Sequence, residues 1–130
     1  MNETSTHLKV PGTGEHREVC LGADGAVAHV TRVLRMIQGR WKLPILFRLF
    51  ADPTRRSSQL MRDMPGISRK MLTQHLRELE NARLVERIDF DEKPLRIEYQ
   101  LSDAGRELMP LLFEARRFSA NHPNPAANVV

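Results

Sequence analysis

A chain of 130 residues can fold one domain with its own hydrophobic core and is too short for two domains of ordinary size. Its 41% hydrophobic and 28% charged residues are near the averages of soluble globular proteins, so neither wholesale disorder nor a fibrous class is indicated. The net charge of +4 favours polyanionic partners, and the single cysteine, Cys20, excludes an internal disulfide framework and favours a reducing compartment.

Neither end of the chain carries the pattern of a folded element. The polar start, residues 1–24, is broken by Pro11 and predicts a flexible arm, while residues 120–130, with two prolines, predict a disordered tail. No apolar run has the length of a signal peptide core or a membrane span, so we expect a cytoplasmic protein without membrane contact. The folded domain is expected to occupy residues 25–119.

Two apolar helices are predicted to open this domain. From Ala26 to Gln38, apolar residues recur at steps of three and four and form one face, made by Val27, Val30, Leu34 and Ile37. Trp41 to Ala51 is almost wholly apolar, from Leu43 to Phe50, and Pro44 is acceptable in its first turn, where a missing N–H costs little. We expect this second helix in the core, with Trp41 as a packing anchor and Asp52-Pro53 at its end.

Two shorter helices joined by a tight turn are predicted next. Ser58 is the expected N-cap of the third helix, and Pro65-Gly66 forces a turn after it. Ser68 is the expected N-cap of a fourth helix that reaches about Ala82 and buries a stripe of Leu72, Leu76 and Leu79.

After Leu84 the hydrophobic period changes from that of a helix to that of a strand. Alternating apolar residues at Ile97, Tyr99 and Leu101 predict a half-buried strand, paired with residues 84–90 in a hairpin whose polar tip is residues 91–95. Ser102 is the expected N-cap of a last helix, kinked at Pro110, with an apolar face of Leu108, Leu111, Leu112 and Phe113. The order of elements predicts a mostly helical α+β fold, a winged helix-turn-helix with additional helices at both ends.

The fourth helix has a face of hydrogen-bond donors opposite its leucines. Arg and Lys pair with guanine edges or phosphates, Gln pairs with adenine, and Thr contacts a phosphate or a thymine methyl. Taken alone, a solvated helix surface explains this face equally well, but its place in a helix-turn-helix, before a basic hairpin, favours binding in a DNA major groove. The predicted DNA-binding residues are Ser68, Arg69, Lys70, Thr73, Gln74 and Arg77 on the helix, with Lys93 and Arg96 in the hairpin.

Three runs carry a resemblance to a known family: Gly39–Leu46, Pro65–Glu80 and Pro94–Tyr99 resemble the HxlR-type regulators, relatives of the MarR group. The resemblance extends from about Val27 to Phe113. It implies a winged-helix transcription factor that reads DNA with residues 68–81 and dimerises through its first and last helices. The dimer residues expected on those helices are Val27, Val30, Leu34, Leu108 and Leu112.

The sequence departs from this family at three positions. Members often carry a cysteine at the position of Ala28, and some sense oxidants with it, so redox sensing by Cys20 is not expected. Ser57 replaces a common aromatic residue. Arg83 replaces the glycine that follows the recognition helix, which should cost stability if Arg83 is left-handed.

Other classes of function find less support in the residues. There is no nucleophile motif, no glycine-rich phosphate loop and no pair of carboxylates in an evident cleft, so we expect neither an enzyme nor a cofactor. His16 and Cys20 lack two further ligands for a metal. The sequence therefore predicts a double-stranded DNA-binding regulator, a repressor that acts as a homodimer on an inverted-repeat operator, with no effector identified. The alternative is a winged helix used to bind proteins.

Overall fold

The computed structural model describes residues 20–124. Within them, five complete helices and one two-stranded antiparallel sheet follow one another. Their bounds are α1 Ala26–Ile37, α2 Lys42–Ala51, α3 Ser57–Asp63, α4 Arg69–Asn81, β1 Val85–Asp89, β2 Ile97–Leu101 and α5 Asp103–Asn121. This order confirms the mostly helical α+β fold with a helix-turn-helix and a hairpin wing. No helix in this part of the chain has the length and hydropathy that a membrane span requires.

The chain divides into two units between Gln38 and Gly39, and the first of them contains α1. His29, in α1, donates through Nε2 to the carboxylate of Asp24, which precedes the helix (2.8 Å). Cys20 and Leu21 are helical, so the predicted flexible arm is wrong at its described end. The remainder of that arm, including His16, lies outside the described residues.

The second unit is built on the apolar helix α2. Pro44 lies in its first turn, and Ile45, Leu46 and Leu49 are at most 2% exposed, as the composition of the helix predicts. Trp41 is also buried, and its ring lies beneath Gly66 in the helix-turn-helix. Helix α2 lies in the core as expected, but not on every side, because Leu43 is only half-buried and Phe50 is exposed.

Helices α3 and α4 and the turn between them form the helix-turn-helix. The N-cap of α3 is Arg56, whose backbone N–H donates to the side chain of Gln59 (2.9 Å). The predicted cap, Ser58, is therefore wrong, because Gln59 supplies the side-chain acceptor at this helix start. Gly66 has a φ of +97° in the turn, a conformation that favours glycine. Ser68 caps α4 as predicted, since its Oγ accepts from the backbone N–H of Met71 (3.1 Å).

Helix α4 ends in a Schellman motif. The N–H of Arg83 donates to the carbonyl of Glu80 (2.9 Å), and the N–H of Leu84 donates to the carbonyl of Leu79 (3.0 Å). Leu79 and Leu84 are both buried, which adds the apolar contact that accompanies this motif. Arg83 has a φ of +62°, so the condition under which replacing the glycine should cost stability is met.

The sheet pairs Val85 with Leu101 and Asp89 with Ile97. Its exposed connection, residues 90–96, forms the wing. A bridge that the sequence did not predict lies on the other side of β2, where Arg55 and Tyr99 exchange backbone hydrogen bonds of 3.0 and 2.7 Å. The predicted alternation of β2 is partly wrong, because Glu98 is buried while Tyr99 is only half-buried.

Helix α5 begins at Asp103, after Ser102 as predicted. Ser102 Oγ accepts from the N–H of Gly105 (3.0 Å) and donates to the carbonyl of Arg83 (2.6 Å). Pro110 lies inside the helix, and the kink expected there stays a prediction. The helix continues to Asn121, so the predicted disordered tail begins too early.

Two aromatic rings cap the C-terminal end of α5. The ring of His122 stacks on Phe118 and donates through Nδ1 to the carbonyl of Phe118 (2.9 Å). One of the otherwise unpaired carbonyls of the last turn is thereby satisfied.

Candidate nucleic-acid interface

Helix α4 presents two different faces. Leu72, Leu76 and Leu79 are at most 1% exposed and fix the helix on the core. The opposite side is exposed and carries the predicted donors together, namely Arg69, Lys70, Thr73, Gln74 and Arg77. These five residues, called the α4 face below, line one open groove without a carboxylate among them. The helix thus offers cationic and amide donors to a ligand rich in acceptors.

The cations of the α4 face differ from the two arginines that hold α3 in place. Within residues 20–124, no ion pair involves Arg69, Lys70 or Arg77, whereas Arg48 and Arg55 are paired with carboxylates. Unpaired exposed cations are available to phosphates or base edges without breaking an internal contact. The charge of this face is therefore free to act on a partner.

A charged cluster ties the back of α4 to α2. The carboxylate of Glu78 lies 3.1 Å from Nδ1 of His75 and 3.4 Å from Nζ of Lys42. The hydrogen bond with His75, and then the charge of Lys42, lower the pKa of Glu78. Because Lys42 begins α2, this cluster fixes α4 against the core helix and thereby fixes the angle of the α4 face.

A second network holds α3 in place. The guanidinium of Arg48 contacts the carboxylates of Asp52 (3.1 Å) and Asp63 (2.9 Å), and Arg55 contacts the same two carboxylates at 2.7 and 3.7 Å. Since the backbone of Arg55 also bonds Tyr99, the network connects α2, the end of α3 and the sheet. The helix-turn-helix and the wing are consequently parts of one framework.

A hollow of about 390 Å³ lies between α3 and α4, beside the α4 face. Its polar lining consists of Ser57, Ser58, Arg69 and Thr73, and Met61 and Leu72 supply apolar surface. Ser57 and Ser58, which line this hollow, were not among the predicted site residues, because Ser58 was expected to cap α3. The sequence carries no signal for these two serines, because their place beside α4 depends on how the two helices pack.

The two predicted wing residues differ in their surroundings. Lys93 is exposed at the tip. Arg96 is held at the base: its Nε donates to Glu98 (2.8 Å), Nη1 lies 3.5 Å from Glu92, and its guanidinium lies 4.0 Å from the centre of the Phe90 ring. Arg96 thus joins the two sides of the wing, and 35% of its side chain remains exposed.

Glu98 is the buried partner in this wing cluster. A hydrogen bond with Thr54, followed by the one with Arg96, lowers the pKa of Glu98. A buried carboxylate requires such partners, which explains why a charged residue occupies an inward position of β2. The described residues, 20 to 124, contain no group of three or more side chains able to hold a metal ion.

The predicted dimer residues are not all on the surface. Val27, Val30 and Leu34 in α1 are 52 to 57% exposed. In α5, Leu108 is half-buried and Leu112 is buried, so Leu112 belongs to the core of its own chain. The exposed apolar residues of α5 are instead Leu111, Phe113 and Phe118, and Phe113 contacts the rings of Phe47 and Phe50 at centroid distances of 5.3 and 5.4 Å.

Comparison with known sequences agrees with this geometry. The family model of the HxlR-like helix-turn-helix matches residues 36–126. YdzF of Bacillus subtilis (strain 168), an uncharacterized HTH-type transcriptional regulator, is 40% identical over 92 residues, which are 71% of this chain and 84% of YdzF. YtcD of the same organism, also an uncharacterized HTH-type transcriptional regulator, is 43% identical over 95 residues, covering 73% of this chain and 75% of YtcD.

Solved structures give the same result for the fold. The crystal structure of the HTH-type transcriptional regulator ytcD matches with a TM-score of 0.67 and 43% identity, over 72% of this chain and 94% of that chain. A transcriptional regulator of the MarR family from Enterococcus faecalis V583 matches with a TM-score of 0.71 and 34% identity, over 78% and 92% of the two chains. The α4 face and the wing therefore lie in a fold that these regulators share.

Proposed function

The chain belongs to the HxlR-like helix-turn-helix family of transcriptional regulators, and from this premise we propose that it represses transcription as a homodimer on an inverted-repeat operator. In this proposal α4 enters the major groove and the wing approaches the flanking backbone. The DNA-binding residues are those of the α4 face, with Ser68 at its start and Lys93 at the tip of the wing. Arg96 contributes by holding the wing in shape and through the exposed part of its guanidinium.

One observation carries the proposal. The cations of the α4 face are exposed, and no ion pair within residues 20–124 involves them, while a buried leucine stripe and the Glu78 cluster attach the other side of the helix to the core. Surfaces that dock proteins usually centre on apolar or aromatic anchors. The α4 face has none at its centre, which favours DNA over a protein partner.

The homodimer is supported by apolar surface on two helices. Val27, Val30 and Leu34 recur at helical spacing on α1, and Leu111 and Phe118 recur seven positions apart on α5. Single exposed apolar residues are common on protein surfaces, but aligned ones at this spacing are typical of helices that meet a partner. Two copies related by a twofold axis would present two α4 faces to half-sites about one helical turn apart. In this proposal the operator overlaps the promoter, so a dimer seated in its two major grooves excludes the polymerase from that DNA.

The proposal is tested with DNA from upstream of the protein's own gene. We expect the purified protein to retain this duplex against an excess of scrambled duplex and to protect two symmetric half-sites in a footprint. In transcription with purified polymerase, the same concentrations should lower the yield of transcript. Equal retention of both duplexes would contradict sequence-specific regulation, and an increased yield would contradict repression.

A further inference from the structure

We propose that Glu78 is a positioning residue for DNA recognition, whose carboxylate holds the side-chain amide of Gln74 in the orientation that selects adenine in the major groove. This inference rests on the proposed function and deepens it, because it assigns one base of the operator half-site to one side chain. It also gives Glu78 a role beyond the attachment of α4 to α2.

Gln74 and Glu78 are neighbours on the surface of α4. They are four positions apart, a spacing at which helical side chains meet, and the side chain of Gln74 hydrogen-bonds the carboxylate of Glu78. Gln74 lines the groove of the α4 face, whereas Glu78 is not among the lining residues. Glu78 therefore lies outside the groove, in contact with a side chain that lies in it.

The carboxylate of Glu78 is held from the side of the core. Nδ1 of His75 lies 3.1 Å from it and Nζ of Lys42 lies 3.4 Å from it, and the side chains of these two residues are only 18% and 12% exposed. Gln74 is exposed, so the amide adjusts to the carboxylate and not the reverse. A carboxylate fixed in this way gives the amide its orientation before DNA binds.

The charge of Glu78 determines which atoms of the amide remain free. Glu78 is ionised at neutral pH, because the hydrogen bond with His75 and then the charge of Lys42 lower its pKa, and an ionised carboxylate only accepts hydrogen bonds. Gln74 must therefore donate one of its two amide N–H groups. When it donates the N–H trans to its carbonyl oxygen, the cis N–H and that oxygen remain side by side for a base.

One donor beside one acceptor matches adenine. In the major groove adenine presents an acceptor, N7, next to a donor, the N6 amino group, and a glutamine amide pairs with both at once. Guanine presents two acceptors, N7 and O6, which the amide satisfies only with both of its N–H groups. Because Glu78 uses one of these N–H groups, Gln74 is poorly suited to guanine. The contact with Glu78 thus gives Gln74 a preference for adenine.

The experiment selects bound duplexes from a pool with randomised positions and measures the bases retained at each position. We expect the wild type to prefer adenine over guanine by about fivefold or more at the position whose preference Gln74→Ala abolishes. In Glu78→Ala this preference should fall by about threefold or more, because an oriented hydrogen bond is lost, while the other positions keep theirs. Glu78→Met, which keeps an unbranched side chain but removes both oxygens, should give the same result.

Further variants separate positioning from a purely structural role. Glu78→Asp keeps a carboxylate, and Gln–Asp pairs at this spacing form in helices, so the adenine preference should stay within about twofold of the wild type. Glu80→Ala, the matched control, removes the same charge from α4 at a position outside the groove and should leave every base preference unchanged. In a Gln74→Ala background, Glu78→Ala should have no further effect at that position.

Melting temperatures measured first show which variants are folded. An unchanged adenine preference in folded Glu78→Ala or Glu78→Met would overturn the inference, and so would equal relaxation at every position. A base other than adenine at the position governed by Gln74 would also overturn it. These three results leave the proposed function intact. If the wild-type protein selects no sequence at all, the proposed function fails, and this inference fails with it.

Discussion

Arg83 has a backbone conformation that is unfavourable for any residue with a Cβ atom. Its φ of +62° places it at the left-handed position of the Schellman motif, where glycine has no Cβ to strain. The exposed side chain of Arg83 forms no ion pair with another residue between 20 and 124, so its loss removes no such contact. The conformation is imposed by Leu84, which must enter the core to begin the hairpin.

We therefore expect Arg83→Gly to raise the free energy of unfolding by about 1 kcal/mol. Thermal and urea melts of the variant and the wild type measure this difference in the free energy of unfolding. The matched change Arg87→Gly, at an exposed position of β1, should lower stability instead, because glycine weakens a strand. A lower melting temperature for Arg83→Gly would show that the arginine side chain stabilises the protein more than its conformation costs.

Glu98 makes part of the stability dependent on pH. Its pKa is lowered in the folded protein by hydrogen bonds with Thr54 and Arg96, whereas the unfolded chain restores the usual value near 4.5. A lowered pKa contributes stability above the unfolded value, and this contribution is lost as the pH falls through the folded value. The sensitive window therefore lies below pH 4.5.

In Glu98→Gln we expect a smaller fall in melting temperature between about pH 6 and about pH 3 than in the wild type, because Gln carries no titrating charge. At pH 6 the variant should be the less stable of the two, since Arg96 loses the charge of its nearer carboxylate partner. Glu107→Gln, at an exposed position of α5, is the control and should keep the full fall. Parallel curves for Glu98→Gln and wild type would remove Glu98 from the acid response.

At the scale of elements, the junction between the sheet and α5 depends on a close approach of two backbone segments. A Cβ built on Gly105 runs into the backbone carbonyl of Leu84, the same group that accepts from the N–H of Ser102 (3.0 Å). Glycine thus lets the first turn of α5 lie directly on the start of β1. The end of α4, the base of the sheet and the start of α5 meet at this point.

We expect Gly105→Ala to lower the free energy of unfolding by about 1 to 3 kcal/mol, because backbone has to move to admit the methyl group. In an unobstructed helix the same change stabilises by about 1 kcal/mol, so the sign alone discriminates between the two situations. Denaturant melts at one temperature are sufficient. A stabilised Gly105→Ala protein would contradict the close approach to Leu84.

Elements with strong local patterns were predictable from the sequence. The leucine spacing and the Ser68 cap gave α4 its bounds, and the alternation around Tyr99 indicated the hairpin. The bridge between Arg55 and Tyr99 was not predictable, because a single pair of backbone bonds has no periodic signal. The burial of Glu98 was not predictable either, because alternation places this residue on the exposed side of β2. Thr54, whose hydrogen bond makes the burial of Glu98 tolerable, is distant in sequence.

The candidate site was predictable in part. Helical spacing alone placed the α4 face opposite the buried stripe. The hollow beside it depends on how α3 and α4 pack, which spacing does not specify. Leu112 was assigned to a dimer surface because an apolar helix face does not reveal whether its own core or a partner covers it.

At the scale of the whole molecule, the account requires a homodimer. We expect light scattering at micromolar concentration to give twice the 14.9 kDa of one chain. Leu34→Glu should shift the mass toward that of one chain, because a charge would be buried in the proposed interface. Leu95→Glu, which changes a residue 69% exposed in the wing, is the matched control and should leave the dimer intact. A mass of one chain for the wild type, with full affinity for DNA, would contradict the dimer.

The most direct test of the central claim compares the base-reading residues with a cation outside the interface. Gln74→Ala and Arg77→Ala are titrated with the DNA from upstream of the gene and with random duplex, and Arg106→Ala, an exposed cation of α5, is the control. Melting temperatures measured first show that each variant is folded. We predict that at least one α4 variant loses about 1 to 3 kcal/mol on the upstream DNA, with a smaller loss on random duplex, while Arg106→Ala keeps both affinities. Unchanged binding to both duplexes by folded Gln74→Ala and Arg77→Ala would show that the α4 face does not read DNA.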